Sequence, residues 1–159
     1  MMHSRFSWLA VFISFLAAAV LEVVILPDSL FKFRPEWLAL TLIYWLLRHP
    51  EKIGIATAFL FGIAMDVISG TVLGVYALAY SVTAYLLLSM HQRLKMFPVI
   101  QQSLVVFFLV SIHLMIVYIL SIALKGADGG LSYLWLALTS AIAWPLVLIL
   151  TDRLALFLR

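Results

Sequence analysis

Three ionisable residues lie within long apolar stretches of the sequence, and they are its first candidates for chemistry. Glu22 lies near the end of the first apolar stretch, Asp66 follows the run IGIATAFLFGIAM, and His113 lies in the middle of the stretch 99–124. An ionisable side chain that faces lipid alone is costly, so such residues usually pair or face a cavity. We therefore predict that Glu22, Asp66 and His113 face the interior of a helical bundle.

The positions of these residues along their helices place them in one layer. With a rise of 1.5 Å per residue, Glu22 lies about 24 Å, Asp66 about 20 Å and His113 about 21 Å from the same side. This predicts a polar cluster in the outer leaflet, with Asp66 and His113 as its pair. Two alternatives stay open: Asp66 could reach water and cap the next helix, and His113 could bond a backbone carbonyl.

Other chemistry has little support in the sequence. The chain has no cysteine, which excludes disulfides, thiolate metal sites and a cysteine nucleophile. The motifs HExxH and GxSxG and a phosphate-binding glycine loop are absent. His3, His49 and His91 lie at the ends of apolar stretches, too dispersed for a metal site. We expect no catalytic residue, no metal and no cofactor.

The composition indicates lipid as the main solvent. Of the 159 residues, 66% are hydrophobic and 11% charged, and the mean hydropathy is +1.19. A soluble domain is nearer half apolar and a quarter charged. The net charge of +3 is small and its basic residues stand at the ends of apolar stretches, as in membrane proteins. Nucleic acid is therefore not an expected partner.

Six apolar segments, separated by turns or charges, must position the three ionisable residues within a single domain, 1–159. About 20 apolar residues cross the roughly 30 Å hydrocarbon layer. The segments are 6–26, 35–47, 53–68, 72–90, 99–124 and 133–151. The sequence predicts an all-α integral membrane protein, a compact bundle of six transmembrane helices. The first segment is longer than the apolar core of a signal peptide, so we expect it to be an uncleaved helix.

The distribution of Lys and Arg predicts that both termini are cytoplasmic. Cytoplasmic loops of membrane proteins carry an excess of these residues. With a cytoplasmic N-terminus, the inside holds Arg5, Arg48, Lys52, Arg93, Lys95, Arg153 and Arg159, and the outside holds Lys32, Arg34 and Lys125. Segment 35–47 is only about 20 Å long, so it is either a short true span, which the charge bias favours, or a re-entrant segment.

The motif FRPEW begins this short segment with helix-start chemistry. Pro35 suits the first helical position, where its missing N–H costs nothing. Glu36 suits the first turn, where the helix dipole favours an anion, and Trp37 suits the membrane interface.

Small residues and one proline suggest where helices could approach or bend. Gly54, Ala58 and Gly62 recur at helical spacing, and they could admit a partner helix or pack within the chain. Pro145 removes one hydrogen bond from the last helix, so a kink or hinge is expected there.

In order and spacing, several short pieces resemble the rod shape-determining protein MreD family across nearly the whole chain. They are FRPEW at 33–37, Tyr44-Trp45, DVISGTVLG at 66–74, the Gln pair at 101–102 and Trp144-Pro145. The positions that match the two longest motifs are Arg34, Pro35 and Trp37, and Asp66, Gly70 and Gly74. The resemblance carries no catalytic residue.

The resemblance implies a protein of the bacterial inner membrane that belongs to the cell-elongation machinery. Members of the family act with MreC and with the cytoplasmic MreB filament, and they help to control the glycan polymerase RodA and its penicillin-binding transpeptidase partner. Their fold is thought to be similar to the substrate-binding subunits, or S-components, of energy-coupling-factor transporters. By this resemblance the chain is a non-catalytic scaffold or regulator of rod shape and peptidoglycan synthesis.

A second function remains open from the residues themselves. Tyr76, Tyr80, Tyr85 and Tyr118 could line a pocket that opens outward, as in a small-molecule binding subunit of a membrane transporter. A deep outer cavity would favour that function, whereas a closed bundle with exposed apolar faces would favour a scaffold. An intramembrane enzyme would need Asp66 and His113 in one accessible cleft.

Overall fold

The computed structural model describes residues 7–24, 33–126 and 133–158, and every regular element within them is an α-helix. The helices are α1 (Trp8–Val23), α2 (Trp37–Arg48), α3 (Ile55–Ser69), α4 (Val75–Met96), α5 (Val99–Lys125) and α6 (Tyr133–Phe157). The predicted all-α class is confirmed. Of the residues used for orientation, Arg5, Lys32 and Arg159 lie outside the described ranges, as does most of the turn at 125–130.

The ends of the helices differ from the ends of the predicted apolar segments mainly where a helix continues into polar residues. α4 runs past the predicted end at residue 90 to Met96, because nothing in HQRLK interrupts helical geometry. It stops at Phe97, which is extended, since a residue before a proline disfavours the α conformation. α2 begins at Trp37 and not at Pro35, whose carbonyl accepts a 3.0 Å hydrogen bond from the Trp37 amide. Hydropathy therefore located the helices but not all of their ends.

The short helix α2 lies at the centre of the bundle. It packs against α1, α4, α5 and α6, and every residue from Leu38 to Leu47 is buried. Its 12 residues extend about 18 Å, less than the hydrocarbon layer. A helix enclosed by other helices is hydrophobic all round and does not itself have to match the thickness of the bilayer.

Helices α3 and α4 form the closest pair in the bundle. A Cβ added at Gly62 would lie 2.6 Å from the Ala77 amide nitrogen and 2.7 Å from the Tyr76 carbonyl oxygen, too close for any side chain. The connection bends sharply because Gly70 and Gly74 adopt φ angles of +62° and +108°, which favour glycine. The glycines therefore bring the first turn of α4 directly against α3.

Helices α5 and α6 have the character of membrane spans. Within the described residues, Val99–Lys125 and Leu134–Phe157 are long and apolar enough to cross a bilayer, with mean hydropathies of 2.6 and 2.0. Pro145 lies inside α6, where it cannot donate the helical hydrogen bond to the carbonyl four residues earlier. The preceding Trp144 is fully buried, and its indole nitrogen donates to Gln102 on α5 at 3.4 Å.

The C-terminal end of α2 is fixed to α6 by polar contacts. Arg48 forms a 2.9 Å ion pair with Asp152, and the Tyr44 hydroxyl donates to the same carboxylate. Both charged side chains are about half exposed, so water screens the pair. These contacts join the two helices at the opposite end from Glu36 and Ser140.

Candidate functional site

Asp66 lies in the last turn of α3, and its carboxylate binds the start of α4. Oδ1 accepts hydrogen bonds of 2.8 Å from the Thr71 hydroxyl and from the Tyr76 amide. Oδ2 accepts from the amides of Gly74 at 2.8 Å and Ala77 at 3.3 Å. Each oxygen therefore has two donors, and the side chain is fully buried.

The close approach at Gly62 makes this arrangement possible. Gly62 and Asp66 are one helical turn apart and share a face of α3. The amides in the first turn of α4 have no partner within their own helix, and they favour an anion. Asp66 supplies that anion as a helix cap, which was one of the two roles left open by the sequence. It does so without reaching water.

Glu22, near the end of α1, binds the start of α2 in a related way. Its Oε2 accepts a 3.1 Å hydrogen bond from the Trp37 amide, and its Oε1 lies 2.9 Å from Arg34 Nη2. Arg34 Nη1 also donates to the Glu22 backbone carbonyl. Glu22 is buried, so Arg34 serves as its counter-ion within the protein.

Glu36, which directly precedes α2, is a third buried carboxylate. Its amide donates a 2.9 Å hydrogen bond to Ser140 Oγ on α6. Its side chain is 3% exposed, and Oε2 has no hydrogen-bond partner. Glu36 is within electrostatic range of Glu22 and Arg34. Two glutamates therefore share one arginine at the start of α2.

Tyr80 and His113 form a buried aromatic pair between α4 and α5. Their ring centroids are 4.7 Å apart and the rings are nearly parallel, while Tyr76 lies 5.9 Å from His113 and 6.0 Å from Tyr80. Tyr80 and His113 are fully buried. The Tyr80 hydroxyl has no hydrogen-bond partner, and neither ring nitrogen of His113 makes a hydrogen bond of standard geometry, although the Ala79 carbonyl is near the ring.

The three residues that the sequence placed in one layer are all buried, and one of them, His113, contacts Tyr80. His113 stacks on its ring, whereas Glu22 and Asp66 are within electrostatic range of its hydroxyl. Asp66 makes its hydrogen bonds to the turn and to α4, and none of the described contacts joins it to His113. The predicted Asp66–His113 pair is therefore wrong for the described residues, because Asp66 caps α4 and His113 stacks on Tyr80.

Sequence reasoning gave Glu36 and Tyr80 other roles. Glu36 was assigned to the helix dipole, and Tyr80 was grouped with three other tyrosines as a pocket candidate. Their apolar neighbours in sequence could have indicated burial, but the absence of partners for their polar atoms depends on contacts across helices. Of the other tyrosines, Tyr85 faces outward with 62% exposure, and Tyr76 and Tyr118 are partly buried.

The predicted contact face of α3 lies largely inside the chain. Ala58 and Gly62 are buried, and Gly62 is in contact with the backbone of α4. Gly54 precedes the helix and has open space around it. The alternative of packing within the chain therefore describes Ala58 and Gly62.

The positions that match the two motifs FRPEW and DVISGTVLG mostly make contacts or turns within the chain. Arg34 and Trp37 contact Glu22, and Pro35 lies between them, while Asp66, Gly70 and Gly74 build the turn between α3 and α4. Across the described ranges, no three His, Asp or Glu residues are grouped so as to hold a metal ion.

Clefts on the surface of the described bundle border α1. One of about 110 Å³ lies between α1, α2 and α6, and its floor includes small side chains such as Ser14, Ala17 and Ala18. Two wider clefts, of about 400 and 480 Å³, follow the outer side of α1 and share Val20. None of the three is lined by Tyr76, Tyr80 or His113. Their walls are almost wholly apolar, as expected of surfaces that face lipid or another helix.

Comparison with known proteins agrees with the resemblance in the motifs. The family described as rod shape-determining protein MreD matches residues 2–154. The chain is similar to the rod shape-determining protein MreD of Haemophilus influenzae, with 32% identity over 154 residues, which cover 96% of this chain and 95% of the relative. No solved structure matches the chain.

Proposed function

The chain belongs to the rod shape-determining MreD family, and we propose that it is a non-catalytic scaffold and regulator of the cell-elongation machinery in the bacterial inner membrane. In this proposal it crosses the membrane six times with both termini in the cytoplasm. It acts through a complex with MreC. The MreB filament, RodA and its penicillin-binding transpeptidase are further members of the assembly, which controls peptidoglycan synthesis.

The observation that carries the proposal is the family match together with the form of the bundle. Consecutive described helices are joined by short connections, such as 49–54, 70–74 and 97–98, which leave no room for an additional domain. Large apolar side chains such as Phe12, Leu60 and Ile142 are exposed on its sides. A molecule of this form offers partners chiefly its membrane-embedded faces.

We propose that the single membrane helix of MreC packs beside α1. Within the described helices, α1 contacts α2 extensively and α6 more sparsely, so much of its circumference is uncovered. Small residues allow two helices to approach closely in lipid, where packing replaces the hydrophobic effect as the driving force. Ala17, which is exposed and borders two of the clefts, is the centre of this face.

The test is co-purification of MreC with the tagged chain from native membranes in mild detergent. We expect Ala17→Leu to reduce the recovered MreC by about tenfold, because a lost contact of about 1.4 kcal/mol changes an equilibrium constant tenfold. Leu60→Ala, on the exposed side of α3, is the matched control and should retain MreC. Undiminished MreC in Ala17→Leu would remove α1 from the interface, and absence of every elongation protein from the wild-type eluate would refute the scaffold role.

A small-molecule binding subunit of a transporter is the second candidate. The buried and unpartnered polar atoms of Tyr80 and His113 favour it, because unsatisfied polar groups commonly accompany a bound ligand or water. The apolar character of the clefts beside α1 favours the scaffold. In the same experiment, recovery of a cytoplasmic ATPase with a coupling subunit in place of MreC would support the transporter.

A further inference from the structure

Apart from the ion-paired Glu22 and Arg34, three described side chains in the interior of the bundle have hydrogen-bonding capacity that the protein leaves unused. They are Glu36 through Oε2, Tyr80 through its hydroxyl and His113 through its ring nitrogens. All three are between 0 and 3% exposed. Buried polar atoms in proteins almost always have a partner, and a bound water, ion or ligand is one explanation for the exceptions. In a membrane protein the need is greater, since ionisable groups within the bundle generally serve a function.

The three side chains belong to one region between the start of α2 and the helices α4 and α5. Tyr80 and His113 are in ring contact at 4.7 Å, and the carboxylate of Glu36 is within electrostatic range of the Tyr80 hydroxyl. Tyr76 adds a further aromatic face to the same region, 6.0 Å from Tyr80. Tyr80 and His113 are therefore in direct contact, and Glu36 lies in a neighbouring part of the interior.

Among the described residues of this region, three carboxyl groups, those of Glu22, Glu36 and Asp66, stand beside a single arginine, Arg34. Asp66 is satisfied by amides and a hydroxyl, and Glu22 is paired with Arg34. Glu36 is the remaining carboxylate, and the arginine near it is already bonded to Glu22. A buried carboxyl group with an unpartnered oxygen is unfavourable, so a group that brings a positive charge and hydrogen-bond donors would stabilise the site.

We propose that Glu36, Tyr80 and His113 form a binding site for a primary ammonium group. Such a group carries one positive charge and three N–H donors, as the lysine side chain does. Glu36 Oε2, the Tyr80 hydroxyl oxygen and one ring nitrogen of His113 supply three acceptors for them. A neutral histidine has one donor and one acceptor nitrogen, and the donor can serve the nearby Ala79 carbonyl.

The aromatic rings of the site favour the same ligand. Cations bind over the faces of tyrosine rings, and this attraction increases when water is excluded. Because the site is buried, it also favours a small ligand. A quaternary ammonium is bulkier than a primary one and has no N–H to donate. A primary ammonium can come from a free aliphatic amine or from the ethanolamine headgroup of a phospholipid, and the two sources differ in how they must be supplied.

The test measures the melting temperature of the purified full chain, by tryptophan fluorescence, in nanodiscs of phosphatidylglycerol, a lipid without an amine. Ethylammonium chloride is compared with tetramethylammonium chloride and sodium chloride at equal concentration. We expect ethylammonium alone to raise the melting temperature, by about 3 °C at ten times its dissociation constant. In a second arm, phosphatidylethanolamine nanodiscs are compared with phosphatidylcholine nanodiscs.

Conservative variants assign the effect to the site. Tyr80→Phe removes only a hydroxyl and Glu36→Gln removes only a charge, and each should abolish the stabilisation by ethylammonium. Tyr85→Phe and Glu51→Gln, at exposed positions, are the matched controls and should retain it. Should either of the first two variants fail to fold, the other one is sufficient.

The second arm identifies the source of the ammonium group. A gain in phosphatidylethanolamine over phosphatidylcholine that Tyr80→Phe removes points to the lipid headgroup, and a gain with ethylammonium alone points to a free amine. The proposal is overturned if neither ethylammonium nor phosphatidylethanolamine stabilises the protein. It is equally overturned if sodium is as effective, or if the gain persists in both site variants.

Discussion

Asp66 and Glu22 both place a buried carboxylate at the start of a helix, but they are stabilised in different ways. The partners of Asp66 lie 5 to 11 residues further along the chain and are uncharged, namely three amides and a hydroxyl. Glu22 accepts from the Trp37 amide and depends on the guanidinium of Arg34 for a counter-charge. The nearby Glu36 is bonded through its backbone amide, which donates to Ser140, 104 residues away in sequence.

This difference shows that a buried carboxylate at the start of a helix can have all its hydrogen bonds satisfied or can keep an oxygen available for a ligand. Four donors on two oxygens leave Asp66 nothing further to bind, so its negative charge is met by local dipoles. The glutamates at α2 share one arginine, and Glu36 retains an unpartnered oxygen. We therefore expect Asp66 to contribute mainly to stability, and the start of α2 to contain the capacity for a ligand.

The largest expected effect is the loss of the Asp66 cap. Asp66→Ala removes four hydrogen bonds and leaves three amides of the turn and α4 without their acceptor. Hydrogen bonds to charged groups contribute about 1.5–3 kcal/mol each but are not additive, so we expect a loss of about 4 kcal/mol in the free energy of unfolding.

Denaturant unfolding of the detergent-purified protein, followed by tryptophan fluorescence, measures this loss. Asp66→Asn is the matched variant, because it retains one acceptor oxygen, and it should lose about half as much. An Asp66→Ala protein as stable as the wild type would show that the Asp66 cap does not stabilise the fold.

The second effect concerns the ion pair at the start of α2. Arg34→Ala leaves Glu22 and Glu36 without their counter-ion, and removal of one partner of a buried pair costs about 3 kcal/mol. Glu22→Gln relieves part of that cost, so the double variant should be more stable than the sum of the single losses predicts, by about 1 kcal/mol or more. Unfolding of the four proteins of the cycle measures this coupling, and additivity within about 0.5 kcal/mol would show that Arg34 is not the counter-ion.

The smallest effect is expected at the opposite end of α2. Arg48→Gln breaks an ion pair whose two side chains are about half exposed, and exposed pairs contribute about 0–1 kcal/mol. The melting temperature should therefore change little, and the change should shrink further in high salt. A loss as large as that of Arg34→Ala would remove the contrast between the buried and the exposed ends of this helix.

Part of the candidate site was accessible from the sequence. The rarity of charge in the apolar stretches singled out Glu22, Asp66 and His113, and the 1.5 Å rise placed them at similar depth. Capping of α4 by Asp66 was one of the stated alternatives, because the turn DVISGTVLG puts the cap and the capped helix close together in sequence. The role of Glu36 was missed, because its partner Ser140 belongs to the last helix.

The small-residue face of α3 shows the same limit. Gly54, Ala58 and Gly62 have a spacing that suits a close helix contact, and this spacing is the same whether the second helix belongs to the chain or to a partner. Contact of Gly62 with the backbone of α4 identifies that helix as the neighbour. The six-span topology and the cytoplasmic termini stay predictions, since the first rests on the apolar segments and the second on the bias of Lys and Arg.

Composition and the lengths of the apolar stretches by themselves determined that this chain is helical and suited to lipid, because hydropathy and local turn chemistry are properties of short stretches. Only the tertiary structure decided that the shortest of the described helices is central, that His113 stacks on Tyr80, and that Glu36 Oε2 is left without a hydrogen-bond partner. Burial and hydrogen-bond satisfaction depend on which helices meet, and residues distant in sequence supply those contacts.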